Sequence, residues 1–517
     1  MPKGYYAYHV PQLIKRDIAR LTPTRRAELT QFAHATHTNP SFANITQTIF
    51  ERLIPRVGEQ NENVVDANTN LQTLLAENGF DRIQHEQIRE DLRSGRIGLA
   101  QNRLPVNTLI EDVLPSDVFD ATDSSRIAEN LRGCGENALK NGEVAVVSLA
   151  AGAGSRWTQG AGVVKALHPF CKMGGAYRSF LEVHLAKTQH VERSYNTTIP
   201  HVFTTSYVSH KPIQNALQQK SLSEKQSSAV YLSPGRSVGL RLIPTARDLH
   251  FAYEELSQQM LDEQKQKVRE SGHQALIQWA RSAGEASDYT DNLPSMCLHP
   301  VGHWFEIPNM LLNGVLNNML QKHPQLNYLM LHNIDTVGAN IDAGLLGWHI
   351  NQNHDLSFEV VARLLTDRGG GLARENGQLR IIESLALPHE ADEFKLSYYN
   401  SMTTWISIDG LLRAFELERG DLTNLPRVSE AVRHIAQRMP TYITLKDVKK
   451  RWGHGQEDVF PVTQWEKLWS DMSALPMLKC GYLAVSRYRG QQLKDQAQLD
   501  GWLRDGSAAY VTQLCGW

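Results

Sequence analysis

The sequence predicts an α/β protein. The expected architecture is a three-layer α/β/α domain on a mixed, mainly parallel sheet, with a helical N-terminal region and a small C-terminal region. Three observations predict it. Short apolar runs rich in β-branched residues alternate with longer polar-apolar segments from Val144 to about Ser407, the pattern of strands and helices in turn. The run VAVVSL at Val144–Leu149 is apolar at nearly every position, as a strand covered on both faces must be. It empties into AAGAGSR, while LMLHNID ends in the carboxylate of Asp335. Small-residue turns and acidic groups at strand ends belong to the carboxyl edge of such sheets, where ligands bind.

The elements follow in order. Residues 1–140 read as helical, with amphipathic runs PQLIKRDIARL and HEQIREDLRSGRIGLA, and Pro105 and Pro115 dividing the region into short segments. Strands are expected at Val144–Ala150, His201–Tyr207, Leu326–Asn333, Leu356–Leu365 and Leu379–Ser384, within a domain spanning 141–408. The Gln- and Lys-rich stretch at about 253–290 reads as a helical insertion in that domain, and DRGGGL at Asp367–Leu372 as a glycine-rich turn between strands. Residues 409–517 mix a helix with short segments and are expected to complete the site.

Bulk properties narrow the function. The 517 residues exceed one ordinary core, and 41% hydrophobic with 21% charged content is that of a globular protein. A formal charge of −2 points to neither a nucleic acid nor a membrane surface as partner. Five scattered cysteines without a Cys-x-x-Cys pair suggest neither a disulfide framework nor a zinc site, and no signal-like or membrane-spanning run is evident. The expected location is the cytoplasm.

The loop after Val144–Leu149 reads as a phosphate grip. Ala151, Gly152, Gly154 and Ser155 let backbone N–H groups close on an anion, and Arg156 and Lys165 add cations. A Walker loop fails because Val164 and Ala166 flank Lys165. A dinucleotide fingerprint is weak because Trp157 follows Gly152-x-Gly154 and no acidic strand end stands about 20 residues on. A nucleoside-triphosphate loop of the form Leu-x-x-Gly-x-Gly-Thr-Arg…Pro-Lys fits better, through Leu149, Gly152, Gly154, Arg156 and Lys165. Asp335 either holds Mg²⁺ between phosphates or caps the helix starting near Asp342. In HPVGHW, Gly302 permits close approach of a group such as a nucleobase edge, and His303 is either a structural or a catalytic histidine. Glu383 and Asn400 offer hydrogen bonds to sugar hydroxyls, or are surface polar groups. Lys446 offers a cation to a phosphate.

Together these segments resemble the UDP-sugar pyrophosphorylase family, the UTP–glucose-1-phosphate uridylyltransferases and UDP-N-acetylhexosamine pyrophosphorylases, over about His85 to Lys494. GRIGLAQNRLP resembles the segment ahead of the family's catalytic loop, and Val144–Lys165 its triphosphate loop. HPVGHW stands where the family carries Pro-Gly-His-Gly-Asp, with Trp304 and Phe305 in the last two places. HNIDTVGANID resembles Asn-x-Asp-Asn-x-Gly, which implies metal binding by Asp335 and puts Asn333 with the sugar. IIES resembles Val-Glu-Tyr-Ser and places Glu383 on the sugar. YYNSMTTWISI keeps Asn400 and Trp405 of Phe-Asn-Thr-Asn-Asn-x-Trp-Ile but has Met402 and Thr403 for the asparagines. ITLKDVKK with QWEKLW (Gln464, Glu466) resembles the lysine and Gln-Leu-Glu pair, and YRGQQLKDQAQL aligns Arg489 and Lys494 with Arg-Phe-x-Pro-Val-Lys.

The resemblance implies a nucleotidyltransferase fold and the reaction NTP plus sugar 1-phosphate to NDP-sugar plus pyrophosphate. UTP is the favoured nucleotide and Mg²⁺ the cofactor. Arg156, Lys165 and Lys446 are then catalytic. Ala151, Gly152, Gly154, Ser155, Gly302 and His303 bind the nucleotide. Asn333, Glu383 and Asn400 bind the sugar, and Asp335 binds the metal. Two alternatives stay open: an inactive family member serving as a regulatory or interaction subunit, and a transferase using another phosphorylated acceptor or nucleotide.

Overall fold

The computed structural model describes residues 70–517 apart from 153–156, 158–163, 219–228, 256–262 and 454–455. The central sheet has eight strands on its main path: β1 (Phe119–Ala121), β2 (Val144–Leu149), β3 (His201–Thr205), β4 (Val230–Pro234), β5 (Tyr328–Asn333), β6 (Leu356–Ala362), β7 (Tyr398–Ser407) and β8 (Cys480–Val485). Their spatial order is β1-β8-β6-β7-β5-β2-β3-β4. β7 runs antiparallel to β5 and β6, and every other neighbouring pair is parallel. The sheet is therefore mixed and mainly parallel, as its apolar strands predict.

All six residues of β2 are buried, and period two divides them between the layers. Ala145, Val147 and Leu149 join one apolar cluster with the helices Glu306–Leu312 and Leu425–Arg438. Val144 and Val146 join another, with the helices Glu129–Lys140 and Ala343–Asn351. Those two helices touch backbone to backbone. A Cβ on Gly135 would lie 1.8 Å from the Ala343 carbonyl oxygen, and one on Gly347 1.7 Å from that of Leu131, so only glycine permits the contact. Helix Phe180–Tyr195 starts at a reciprocal cap in which Ser179 and Glu182 satisfy each other's backbone N–H, and it ends on Asn196 at φ 50°.

The expected strand starts at Val144, His201 and Leu356 hold to the residue. Other boundaries shift. The 379–384 run lies in a hairpin, Gly371–Glu375 with Gln378–Ile382, and the DRGGGL turn leads into it from β6. Strands β1 and β8 come from outside 141–408, so the sheet is not confined to that stretch. The stretch at about 253–290 contains helix Glu263–Ala283, and a helix already starts at Ala246, earlier than expected. The C-terminal region holds a long hairpin, Tyr442–Gly453 with Gln456–Glu466, where short segments were expected. Among the described residues no helix is long and apolar enough to cross a membrane.

Candidate active site

β2 and β5 are adjacent and parallel, with Asn333 in register with Leu149. Their carboxyl ends therefore deliver the Ala150–Gly152 turn and the Asn333–Asp335 turn to one point. The Ser206 hydroxyl, just past β3, donates to the Ala151 carbonyl at 2.8 Å and ties the turn down. A Cβ on Gly152 would meet nothing within 4 Å among the described residues. Gly154, Ser155 and Arg156 lie outside the described residues.

Lys165 returns to the same point. Its Nζ lies 2.5 Å from Asp335 Oδ2, and the two side chains are 13% and 10% exposed. The other carboxylate oxygen, Oδ1, is buried without a hydrogen-bond partner among the described residues. An anionic oxygen left unsatisfied in a buried place carries a large desolvation cost that a cation would relieve. Asp335 is not a helix cap: the helix at Ala343 is capped by Asp342, whose carboxylate accepts from Gly344 and Leu345 N–H. Among the described residues no three His, Cys, Asp or Glu groups cluster as a metal cage. A lone carboxylate suits Mg²⁺, which keeps waters and takes its remaining ligands from phosphates.

Beside this pair lies a second charged group. Lys494 Nζ donates to the Arg368 carbonyl at 3.1 Å and sits 5.3 Å from the Tyr399 ring centroid. Burial works against its ammonium, yet Tyr399, Asp335 and Glu383 more than offset this and raise its pKa. Burial also pushes the Glu383 carboxyl up, against the Ser470 hydrogen bond and the charges of Lys494 and Arg380, and Glu383 Oε1 has no hydrogen-bond partner among the described residues. Glu466 is likewise raised by burial; Lys446 favours its charge and Glu383 opposes it. Lys446 itself is exposed on the long hairpin. Asn333 is half-buried at the end of β5.

For three of the expected residues the structure shows a packing or hydrogen-bonding role. Gly302 has φ +94°, but the space beside it is filled by the chain: a Cβ there would lie 2.2 Å from the Lys467 carbonyl oxygen and 2.6 Å from its nitrogen. This packing by itself requires the glycine. His303 accepts the Trp469 N–H on Nδ1 at 3.0 Å, and burial, helped by Lys494, lowers its pKa to about 4. It is a neutral, anchored ring. Asn400 is buried, and its Nδ2 donates to the Ser470 hydroxyl at 2.8 Å and to Met402 Sδ at 3.3 Å, while its Oδ1 accepts from Met402 N–H. It shapes the bulge in β7 at Met402, where φ is 61°. Arg489 is also structural: it forms a two-pronged ion pair with Glu359, both contacts at 2.7 Å.

The site residues absent from the sequence-based candidates are Ser470 and Tyr399. Tyr399 stands inside YYNSMTTWISI and Ser470 directly follows QWEKLW, but neither is a position that those motifs single out. Ser470 lies six residues past Gln464, on a short helical turn whose place beside Glu383 depends on the hairpin before it.

Residues 287–441 match the family model for UTP–glucose-1-phosphate uridylyltransferase. The UTP–glucose-1-phosphate uridylyltransferase of Hordeum vulgare is 26% identical over 138 residues, 26% of this chain and 29% of that protein. A probable enzyme of the same name from Schizosaccharomyces pombe is 20% identical over 241 residues, 46% of this chain and 39% of that protein. The matches thus span well under half the length of these relatives. Among solved structures, the uridine diphosphate N-acetylglucosamine pyrophosphorylase of Trypanosoma brucei superposes with a TM-score of 0.56 at 16% identity, covering 86% of this chain and 78% of that one. A UDP-glucose phosphorylase from the same organism gives 0.54 at 18%, covering 82% and 75%. Residues 287–441 thus resemble the UTP–glucose-1-phosphate uridylyltransferases, and the fold is the one these pyrophosphorylase structures share. The family match at 287–441 includes β5, Asp335, Glu383 and Asn400, while Lys165 and Lys494 lie outside it.

Proposed function

We propose that the protein transfers a uridylyl group from UTP to a sugar 1-phosphate, giving a UDP-sugar and pyrophosphate. The Lys165–Asp335 pair at the carboxyl ends of β2 and β5, with one Asp335 oxygen buried and unpartnered among the described residues, carries the reading. A cation and a carboxylate there serve a polyphosphate and its metal, respectively.

The sugar phosphate oxygen attacks the α-phosphorus of UTP, a bond forms there, and the bond to the β-phosphate bridging oxygen breaks. Pyrophosphate leaves with that electron pair. The nucleophile is already an anion, so no strong general base is required. The protein contributes alignment and charge neutralisation. Lys165 turns from Asp335 toward phosphate oxygens, Arg156 adds a second contact, and the Ala151–Ser155 backbone cradles the chain of phosphates. Asp335, so released, would hold Mg²⁺, which supplies charge neutralisation at the phosphate oxygens. Lys494 and Lys446 steer the incoming sugar phosphate, and Glu383 Oε1 accepts a sugar hydroxyl. Asn333 borders the same space. Met402 and Thr403 stand where the family resemblance implies asparagines, which supports an altered sugar preference.

A pyrophosphate-release screen of four nucleoside triphosphates against a panel of sugar 1-phosphates, with Mg²⁺, tests the proposal. UTP should give the highest kcat/KM with at least one sugar. No release from any pair would refute it.

A further inference from the structure

Directly behind Asp335 lies a lysine with no evident reason to be charged. Lys187, on helix Phe180–Tyr195, is 2% exposed. Its Nζ donates to the Val337 carbonyl at 2.7 Å and also to that of Ala339. Both of these partners are neutral. Burying an ammonium on two neutral carbonyls is costly, and an apolar side chain of similar length would pack there at less cost. What the ammonium gains is a grip on the turn that follows Asp335. One helical turn earlier, His184 Nε2 lies 2.9 Å from the Ile334 carbonyl. The Asp335 carbonyl accepts from Leu493 N–H at 2.9 Å, next to Lys494.

We propose that Lys187 is a positioning residue for Asp335, fixing the 334–339 turn so that the carboxylate is held ready for a divalent cation; the inference rests on the proposed nucleotidyl transfer. Two effects oppose each other when the charge is removed. Losing the anchor weakens cation binding, whereas losing a nearby positive charge strengthens it. Burial lowers the Lys187 pKa to about 7, and Asp335 is not among the groups that influence it by charge, so loss of the anchor is the larger effect.

The test uses Mn²⁺ as the probe, with UTP present, and follows the free-ion electron paramagnetic resonance signal in wild type, K187M and K187Q. Groups that orient a metal ligand typically change affinity by about 10–100-fold, so K187M should bind Mn²⁺ at least about tenfold more weakly. K187Q, which keeps a neutral donor for one carbonyl, should fall between and guards against misfolding of the methionine variant. In turnover the half-saturating Mg²⁺ concentration should rise while KM for the sugar phosphate stays constant. A variant whose melting temperature changes while its Mn²⁺ binding stays at the wild-type level would assign Lys187 a purely structural role and overturn the inference. Wild-type protein that binds no Mn²⁺ with UTP would instead count against the nucleotidyl-transfer reading itself.

Discussion

Replacing Asp335 by Asn probes the pair at the centre of the site before any substrate is added. The substitution keeps size and an acceptor for Lys165 but removes the charge 2.5 Å from its ammonium. Because the two side chains are only about one-tenth exposed, screening by water is limited. Breaking a fully buried pair costs about 3–5 kcal/mol, and a retained neutral hydrogen bond brings the expectation to about 2–3 kcal/mol. With about 2–4 °C per kcal/mol for domains of some 150–250 residues, the ligand-free melting temperature should fall by several degrees. K165M should also destabilise, because it strands Asp335 without a cation. The double variant should then lose less than the sum of the single losses, with a coupling of about 1–3 kcal/mol from a cycle of urea denaturation curves. Coupling below about 0.5 kcal/mol, the range of independent sites, would refute the pair as an energetic unit.

Burial raises the Glu306 carboxyl to about 7, despite a hydrogen bond from Thr204. The folded state thus holds this proton after the unfolded chain has lost it, and stability falls as pH rises from about 4.5 through 7. E306Q should stabilise the protein at about pH 8 and change little at about pH 4, as read by chemical denaturation; the same difference at both pH values would refute the assignment. Arg489→Ala strands the buried Glu359 carboxylate, and should cost about 3–5 kcal/mol in urea denaturation. Gly302→Ala meets Lys467 backbone at 2.2 Å and is strained at φ +94°, so it should lower the melting temperature even without nucleotide. An unchanged melting temperature would make Gly302 a candidate ligand contact again.

The sequence carried the sheet interior well because a strand covered on both faces needs an unbroken apolar run, and VAVVSL and LMLH are such runs. It carried the edges poorly. β1 is three residues long, and β8 (CGYLAV) comes from a distant part of the chain, so neither announces its partner locally. In the site, Asp335 and Lys165 were legible because each ends or follows a recognisable strand-and-turn pattern. Their pairing across 170 positions was not. Gly302 shows the opposite failure: glycine signals close approach, but not whether the approaching group is a ligand or, as here, the backbone of Lys467. Lys187 sits in an ordinary helical pattern, and only the fold reveals the carbonyls that it holds.

Pyrophosphate release from UTP and sugar 1-phosphates by wild type, K165A and D335N, in the presence of Mg²⁺, bears on the charged pair alone. Each variant removes one side of the pair that is proposed to receive the triphosphate and its metal. Wild type should release pyrophosphate, and each folded variant should lose about 2–4 kcal/mol of transition-state stabilisation, the scale of losing one charge-stabilising contact. Turnover at the wild-type rate in both variants would show that the pair takes no part in the reaction.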